Sequence, residues 1–159
     1  MGVAVSPHGV ARIVLPQTSR AAVERDLPSA DQEPLQEKGV LALLAQAQEQ
    51  LVAFLAGKTR TLDLPADLSA GTTFQRKVWR AALRIPYSRV RSYKWIAVRV
   101  GGTRYARAVG LALGANPVPI LVPCHRVVAQ DGSLGGFSCG LPAKRRLLTL
   151  EGTLKQLKS

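Results

Sequence analysis

The spacing of apolar residues changes several times along the chain, and each change marks an element. Val3, Val5, Val10, Ile13 and Leu15 flank Pro7-His8-Gly9, a turn signal, and predict a short β-hairpin. Gln17 to Glu37 lacks either period and predicts a loop. From Val40 onward, Val40, Leu41, Leu44, Ala47, Leu51, Phe54 and Leu55 keep helical spacing until Gly57, a C-terminal stop. Leu62 to Ser69 is a connector, and a domain boundary is expected near Ser69.

The second half opens with Thr72 and Gln75 at capping-box spacing, ahead of a helix carrying Phe74, Val78, Ala82 and Leu83 that Pro86 ends. Ser92 caps a second helix with Tyr93, Ile96, Ala97 and Val100 on one face, and Gly101-Gly102 break it. Thr103 is positioned to cap a third helix, whose Tyr105, Ala108, Val109, Ala112 and Leu113 form an apolar stripe ending near Asn116-Pro117. The opposite face carries Arg104, Arg107 and Leu111. Two short helices joined by a glycine turn, the second bearing arginines outward, have the sequence shape of a helix-turn-helix. Ala106, Gly110 and Gly114 keep parts of that helix thin, suiting close approach of a partner or tight internal packing.

Charge sharpens this division. Residues 1 to 70 hold six Lys/Arg and eight Asp/Glu, residues 71 to 159 sixteen and two, so the halves carry −2 and +14 of the net +12. So concentrated an excess points first to nucleic acid, less to an acidic membrane surface, with a merely solvated face as the plain alternative. At 159 residues and 47% hydrophobic composition the chain can bury a core. No apolar run approaches the roughly 20 residues that span a bilayer, and no secretory pattern opens the chain. The expectation is a soluble, cytoplasmic protein without membrane association. Cys124 and Cys139 are too few for a disulfide scaffold, and no Cys/His spacing suggests zinc, so no metal is expected.

Val118 to Val122, an apolar β-prone run interrupted by Pro119, leads into Pro123-Cys124-His125-Arg126-Val127-Val128. A thiol acts as a nucleophile in its thiolate form, which an imidazole or guanidinium favours. On an extended chain adjacent side chains point to opposite sides, so His125 would reach Cys124 through a water. A buried cysteine is also often an inert small hydrophobe. The basic half has only two acids, Asp131 in an Asp-Gly turn and Glu151. Glu151 could orient His125 as the third member of a nucleophile-base-orienter set, or form a helix-end salt bridge to Arg or Lys.

These segments, in this order, resemble the O6-alkylguanine-DNA alkyltransferases, also called methylated-DNA-protein cysteine methyltransferases. The likeness runs from Gly71-Thr72-Thr73-Phe74-Gln75 through Val78-Trp79, Ile85-Pro86-Tyr87, Ser92-Tyr93, Arg107-Ala108-Val109-Gly110, Asn116-Pro117-Val118-Pro119-Ile120 and Pro123-Cys124-His125-Arg126-Val127-Val128 to Leu147-Leu148 and Glu151-Gly152. Residues 1 to 70 resemble the family's N-terminal domain more loosely.

The resemblance implies an α+β chain: an αβ scaffold domain at 1–69, shortened at its N terminus, and a mainly helical, winged-helix-like DNA-binding alkyltransferase domain at 70–159. It implies one-shot transfer of an alkyl group from O6 of a flipped-out guanine, or O4 of thymine, to Cys124, without a cofactor. His125 would act as base through a water, Glu151 would hold the histidine, and Asn116 would fix the turn. Tyr93 would rotate the phosphate and donate toward the leaving base. Arg107 would fill the gap in the stack, with Tyr93, Ser92, Arg104 and Arg126 as further DNA contacts. The helix-turn-helix would enter the minor groove. Val127, Phe137, Ser138 and Cys139 would line the base pocket. The partner would be double-stranded DNA carrying O6-alkylguanine, bound by a protein that is monomeric without DNA.

Three departures stand out. Ser88 replaces the family's usual glycine after Ile-Pro-Tyr, Phe137 replaces a frequent tyrosine, and Cys139 replaces a common glycine, narrowing the pocket, adding a second thiol or sitting inert in a loop. Rival readings are a non-catalytic protein that binds alkylated DNA, a Cys-His hydrolase that turns over, and a helix-turn-helix regulator without chemistry.

Overall fold

The computed structural model describes residues 1–16, 20–27 and 38–157. Internal contacts divide the chain into two units, Met1–Leu68 with Pro117–Leu121, and Ser69–Asn116 with Val122–Ser159. The architecture mixes helices with small sheets, an α+β arrangement.

In the first unit, β1 (Gly2–Ser6) and β2 (Gly9–Val14) form the expected antiparallel hairpin, with a register shift between Ala4 and Val5. The connector seals the edge of β2. Val10 N donates to Pro65 O at 2.8 Å, Asp67 N donates to Val10 O at 2.9 Å, and Ser6 Oγ lies 2.6 Å from Asp67 Oδ2. Gly9 makes that approach possible: at φ +146° a Cβ there would meet Pro65 O at 2.6 Å. The expected helix is present as α2 (Lys38–Leu55), with Ala47, Leu51 and Phe54 buried.

The loop expected over 17–37 needs correction, because α1 occupies Arg20–Asp26, while 17–19 and 28–37 lie outside the described residues. Ala22 and Val23 are buried, and a Cβ on Gly2 would meet Val23 Cγ1 at 2.7 Å. Burial of two apolar residues in seven stabilises a helix too short to show a period. Pro117–Leu121 also forms no strand. It turns through Ile120, at φ +74°, and Ile13 N donates to Pro117 O at 2.9 Å.

In the second unit, α3 (Thr73–Ala82) begins with the predicted capping box. Gln75 N donates to Thr72 Oγ1 at 3.1 Å, and Thr72 N donates back to Gln75 Oε1 at 2.9 Å. Such a cap contributes about 1 kcal/mol. The helix stops at Ala82, short of the expected reach to Pro86, and leaves Leu83 at 44% exposure. Val78 and Trp79 are buried, and Trp79 Nε1 donates to Ala112 O at 2.8 Å, satisfying the indole.

Ser92 caps α4 (Tyr93–Val100), its Oγ accepting from Trp95 N at 3.1 Å, and Gly101 closes the helix at φ +147°. Thr103 does not cap α5. It starts a 3-10 turn, Thr103–Tyr105, and α5 (Ala106–Gly114) follows without a side-chain cap. Val109, Ala112 and Leu113 of α5 are buried, whereas Arg104, Arg107 and Leu111 are exposed. Arg91–Ser92 (β3) pairs in parallel with Val127–Val128 (β4), which fixes the residues after Cys124 beside the start of α4. The helix α6 (Leu141–Leu150) ends at Glu151. No helix among the described residues is long and apolar enough to cross a membrane.

Candidate active site

The site is built around a tight turn rather than an extended strand. Cys124–Arg126 form one turn of 3-10 helix, in which Cys124 N donates to Val122 O at 2.8 Å and Arg126 N to Pro123 O at 3.0 Å. Asn116, just beyond α5, braces it with one amide. Its Nδ2 donates to Val122 O at 3.0 Å and to Cys124 Sγ at 3.1 Å. The thiol is buried, and burial pushes it up to about 11, against the smaller opposing pull of the Asn116 hydrogen bond. At neutral pH Cys124 therefore rests as a thiol.

His125 is fully buried beside it, with Nε2 2.7 Å from Glu151 Oε1. Desolvation lowers the imidazole from its ordinary value, so the ring rests neutral, although Glu151 pulls the other way. Burial would raise Glu151, but hydrogen bonds from His125 and Arg126 outweigh it and hold the carboxyl below its usual range. An ionised Glu151 accepts from Nε2–H, which leaves Nδ1 as the unprotonated acceptor. That Nδ1 is the sole buried side-chain N or O among the described residues without a hydrogen-bond partner.

Glu151 meets both kinds of partner that the sequence offers it, His125 and an arginine. Arg126 Nε lies 2.9 Å from Glu151 Oε2 and Arg126 Nη2 lies 2.9 Å from Oε1, while Nη1 donates to Ile85 O at 2.8 Å. This corrects the expectation that Arg126 contacts DNA. Its guanidinium is committed inward and the residue is only 8% exposed. Ser88 adds a further brace, with its Oγ donating to Glu151 O at 2.6 Å from a backbone at φ +61°. The positive φ explains why glycine suits this position.

A cavity of about 340 Å3 opens onto Cys124, lined by Tyr93, Gly110, Leu113, Gly114, Gly136, Phe137 and Ser138. Its size lies within the roughly 300–1,000 Å3 of small-ligand pockets. Tyr93 Oη donates to Gly136 O at 3.3 Å, and burial is the largest influence raising its phenol above the ordinary value. Gly135, at φ +68°, lets the loop come this close, since a Cβ there would meet Tyr93 Cε2 at 2.8 Å.

Of the residues expected around the base, Phe137 and Ser138 line this cavity. Val127 is fully buried and Cys139 is exposed; neither lines it. Arg104 and Arg107 stand exposed on and before α5, with Arg104 Nη2 donating to Tyr105 Oη at 3.1 Å, and Ser92 spends its Oγ lone pair on the α4 cap.

Lys144 is the residue that sequence reasoning misses. Fully buried, its Nζ donates to Val127 O at 2.7 Å and Gly136 O at 3.0 Å, joining the strand after the Cys124 turn to the pocket loop. Burial lowers the ammonium to about 8. The available signal was its place with Leu147, Leu148 and Glu151 at i, i+3, i+4 and i+7, a buried stripe.

Comparison with known proteins shows which family the chain belongs to. Residues 73–153 match the family model for the 6-O-methylguanine DNA methyltransferase, DNA binding domain. The methylated-DNA–protein-cysteine methyltransferase of Mycolicibacterium paratuberculosis is 51% identical over 107 residues, covering 67% of this chain and 64% of that protein. Its counterpart in Methanosarcina acetivorans is 44% identical over 108 residues, covering 68% and 69%. The crystal structure of Mycobacterium tuberculosis OGT in complex with DNA superposes with a TM-score of 0.73 at 37% identity, covering 99% of this chain and 88% of that one. The chain belongs to the 6-O-methylguanine DNA methyltransferase family.

Proposed function

We propose that this protein repairs DNA by direct reversal, transferring a methyl or other alkyl group from O6 of guanine to Cys124 once per chain. The observation that carries the reading is a buried thiol lining a cavity of about 340 Å3, next in the chain to a histidine whose one unpartnered nitrogen can take its proton. The base must leave the stack to enter that cavity, since the attacking sulfur, the alkyl carbon and O6 have to align.

In this reading His125 Nδ1 accepts the Cys124 proton through one water, while Glu151 steadies the resulting imidazolium and Asn116 keeps the sulfur aimed. Sulfur forms a bond to the alkyl carbon, the carbon–O6 bond breaks, and its electron pair goes to the base. Tyr93 Oη donates toward the departing guanine. The thioether leaves no route back to the thiol, so the chain is spent.

We assign DNA binding and chemistry to residues 70–159 and a scaffold role to 1–69. Helices α4 and α5 act as a helix-turn-helix, with exposed Arg104 and Arg107 toward the minor groove and Arg107 filling the vacated stack. The thin Gly110 and Gly114 surface, which also lines the cavity, supports a close approach of DNA there.

The test is stoichiometric. Incubation with duplex carrying labelled O6-methylguanine should move one equivalent of label to protein and regenerate guanine in the DNA. Tight lesion binding with the DNA label unchanged would favour the non-catalytic reading.

A further inference from the structure

A second cleft, of about 370 Å3, lies between α3 and the C-terminal end of α4, and it shares no lining residue with the cavity at Cys124. Lys77 and Arg80, at i and i+3 on α3, supply one wall opposite the buried stripe of Val78, Trp79 and Ala82, and Arg84 from the turn after the helix extends it. Arg99 supplies the other wall and is held in advance: its guanidinium lies 3.3 Å over the Trp95 ring, and Nη1 donates to Trp95 O at 3.2 Å.

Four like charges converge here, and no acidic residue lines the cleft. The second unit has only two acidic side chains. Glu151 is enclosed by His125 and Arg126, and Asp131 accepts from Ser133 within its own turn. Favourable helix dipoles account for single cations near a C terminus. They do not account for Lys77, in the middle of α3, nor for cations from two helices facing one concavity. Such a concentration of unneutralised charge favours an anion, and planar guanidinium forks match phosphate oxygens in pairs.

We propose that this cleft is a second phosphate site, holding the sugar–phosphate backbone of DNA away from the nucleotide that enters the Cys124 cavity. The proposal rests on the reading of this unit as DNA-binding. Nucleic-acid backbone and free polyphosphate share the chemistry, and the backbone is the better fit. Arg99 stands six residues, or about 9 Å along the axis, from Tyr93 at the other end of α4, a distance that two to three successive phosphates of one strand span at about 3.4 Å of axial rise each.

The experiment measures binding to undamaged duplex DNA as a function of salt, for wild type and two triple variants of equal charge. One is Lys77→Gln/Arg80→Gln/Arg84→Gln; the control, Arg145→Gln/Arg146→Gln/Lys155→Gln, alters exposed cations outside the cleft. Alkyl transfer from a small O6-alkylguanine nucleobase, which carries no phosphate, checks that both variants remain folded and reactive. The cleft variant should lose about 0.9 of salt slope per phosphate contact removed, and the control markedly less. Equal losses in the two variants would overturn the cleft while leaving the repair reading intact. Absence of DNA binding by wild type would overturn both. An unchanged slope in the cleft variant, with inorganic triphosphate binding wild type and not that variant, would reassign the site to free polyphosphate and overturn the backbone proposal.

Discussion

Glu151 holds His125 and Arg126 with one carboxylate: Oε1 lies 2.7 Å from His125 Nε2 and 2.9 Å from Arg126 Nη2. The same group therefore sets the histidine tautomer and balances a buried guanidinium. Glu151→Gln removes the charge but keeps the shape, leaving Arg126 buried without its counter-ion. Breaking a buried pair in this way costs about 3–5 kcal/mol. Urea denaturation should show a loss of that size, and alkyl transfer should slow as well. A variant as stable as wild type would contradict the account of the pair.

The pH dependence of transfer follows from the resting thiol and the neutral imidazole. In the proposed mechanism His125 must be unprotonated to act as base, and its lowered value would place the acid limb of the rate below 6.5, the ordinary histidine value. Above that limb the rate should stay level, rising further only as pH approaches 11, where the thiolate forms without help. Single-turnover rates from pH 4 to 10 test this. A rate climbing steadily through pH 8 to 9 would point instead to an ordinary exposed cysteine.

Asn116 spends one amide on both Val122 O and Cys124 Sγ. Asn116→Ala should cost about 1–3 kcal/mol through the unpaired carbonyl and freed turn. Misplacing a reacting atom by even 1 Å can slow a reaction about 100-fold. Single-turnover kinetics on the folded variant would detect it, and an unchanged rate would remove Asn116 from the positioning machinery.

Ser88 sets two effects against each other. Its hydroxyl bonds to Glu151 O, while its φ of +61° strains any residue but glycine. Ser88→Ala loses the bond and keeps the strain, whereas Ser88→Gly loses both. The glycine variant should be more stable than the alanine variant by about 1 kcal/mol, read from paired denaturation curves. Equal stabilities would mean that the turn stores no strain.

Lys144 has its proton affinity lowered by burial, to about 8 in the folded chain against 10.5 unfolded. Between those values the unfolded chain binds more protons, so this residue makes stability rise with pH over that window; below about 8 its full charging cost is present. Thermal unfolding of wild type and Lys144→Met, compared from pH 7 to 10, should show the difference shifting in wild type's favour as pH rises. A constant difference would show that the ammonium is not desolvated.

Much of this was legible in the sequence because the signals are local. The caps at Thr72 and Ser92, the hairpin turn and the Gly101 stop each depend on residues a few positions apart. The α1 helix and the turn at Pro117–Leu121 depend on what they pack against, which no local period records. Thr103 looks like a cap from spacing alone, but the chain tightens into a 3-10 turn before α5 begins.

At the site, Cys124, His125 and Glu151 announce themselves by chemical type and Asn116 by resemblance alone, and the fold brings Asn116 to Cys124 and Glu151 to His125. Arg126 misleads because a cation in a basic half suggests an outward role, whereas a carboxylate 25 residues away draws it inward. Lys144 is obscured for the converse reason: a lysine on a helix is ordinarily solvated, and only its two carbonyl partners reveal its burial.

The most direct test of the central claim is the intact mass of the protein after mixing with excess duplex containing O6-methylguanine, followed by peptide mapping, with Cys124→Ser in parallel. The account predicts one added methyl on wild type, located on Cys124, and none on the variant. An unchanged wild-type mass despite lesion binding, or a methyl found on Cys139 instead, would contradict it.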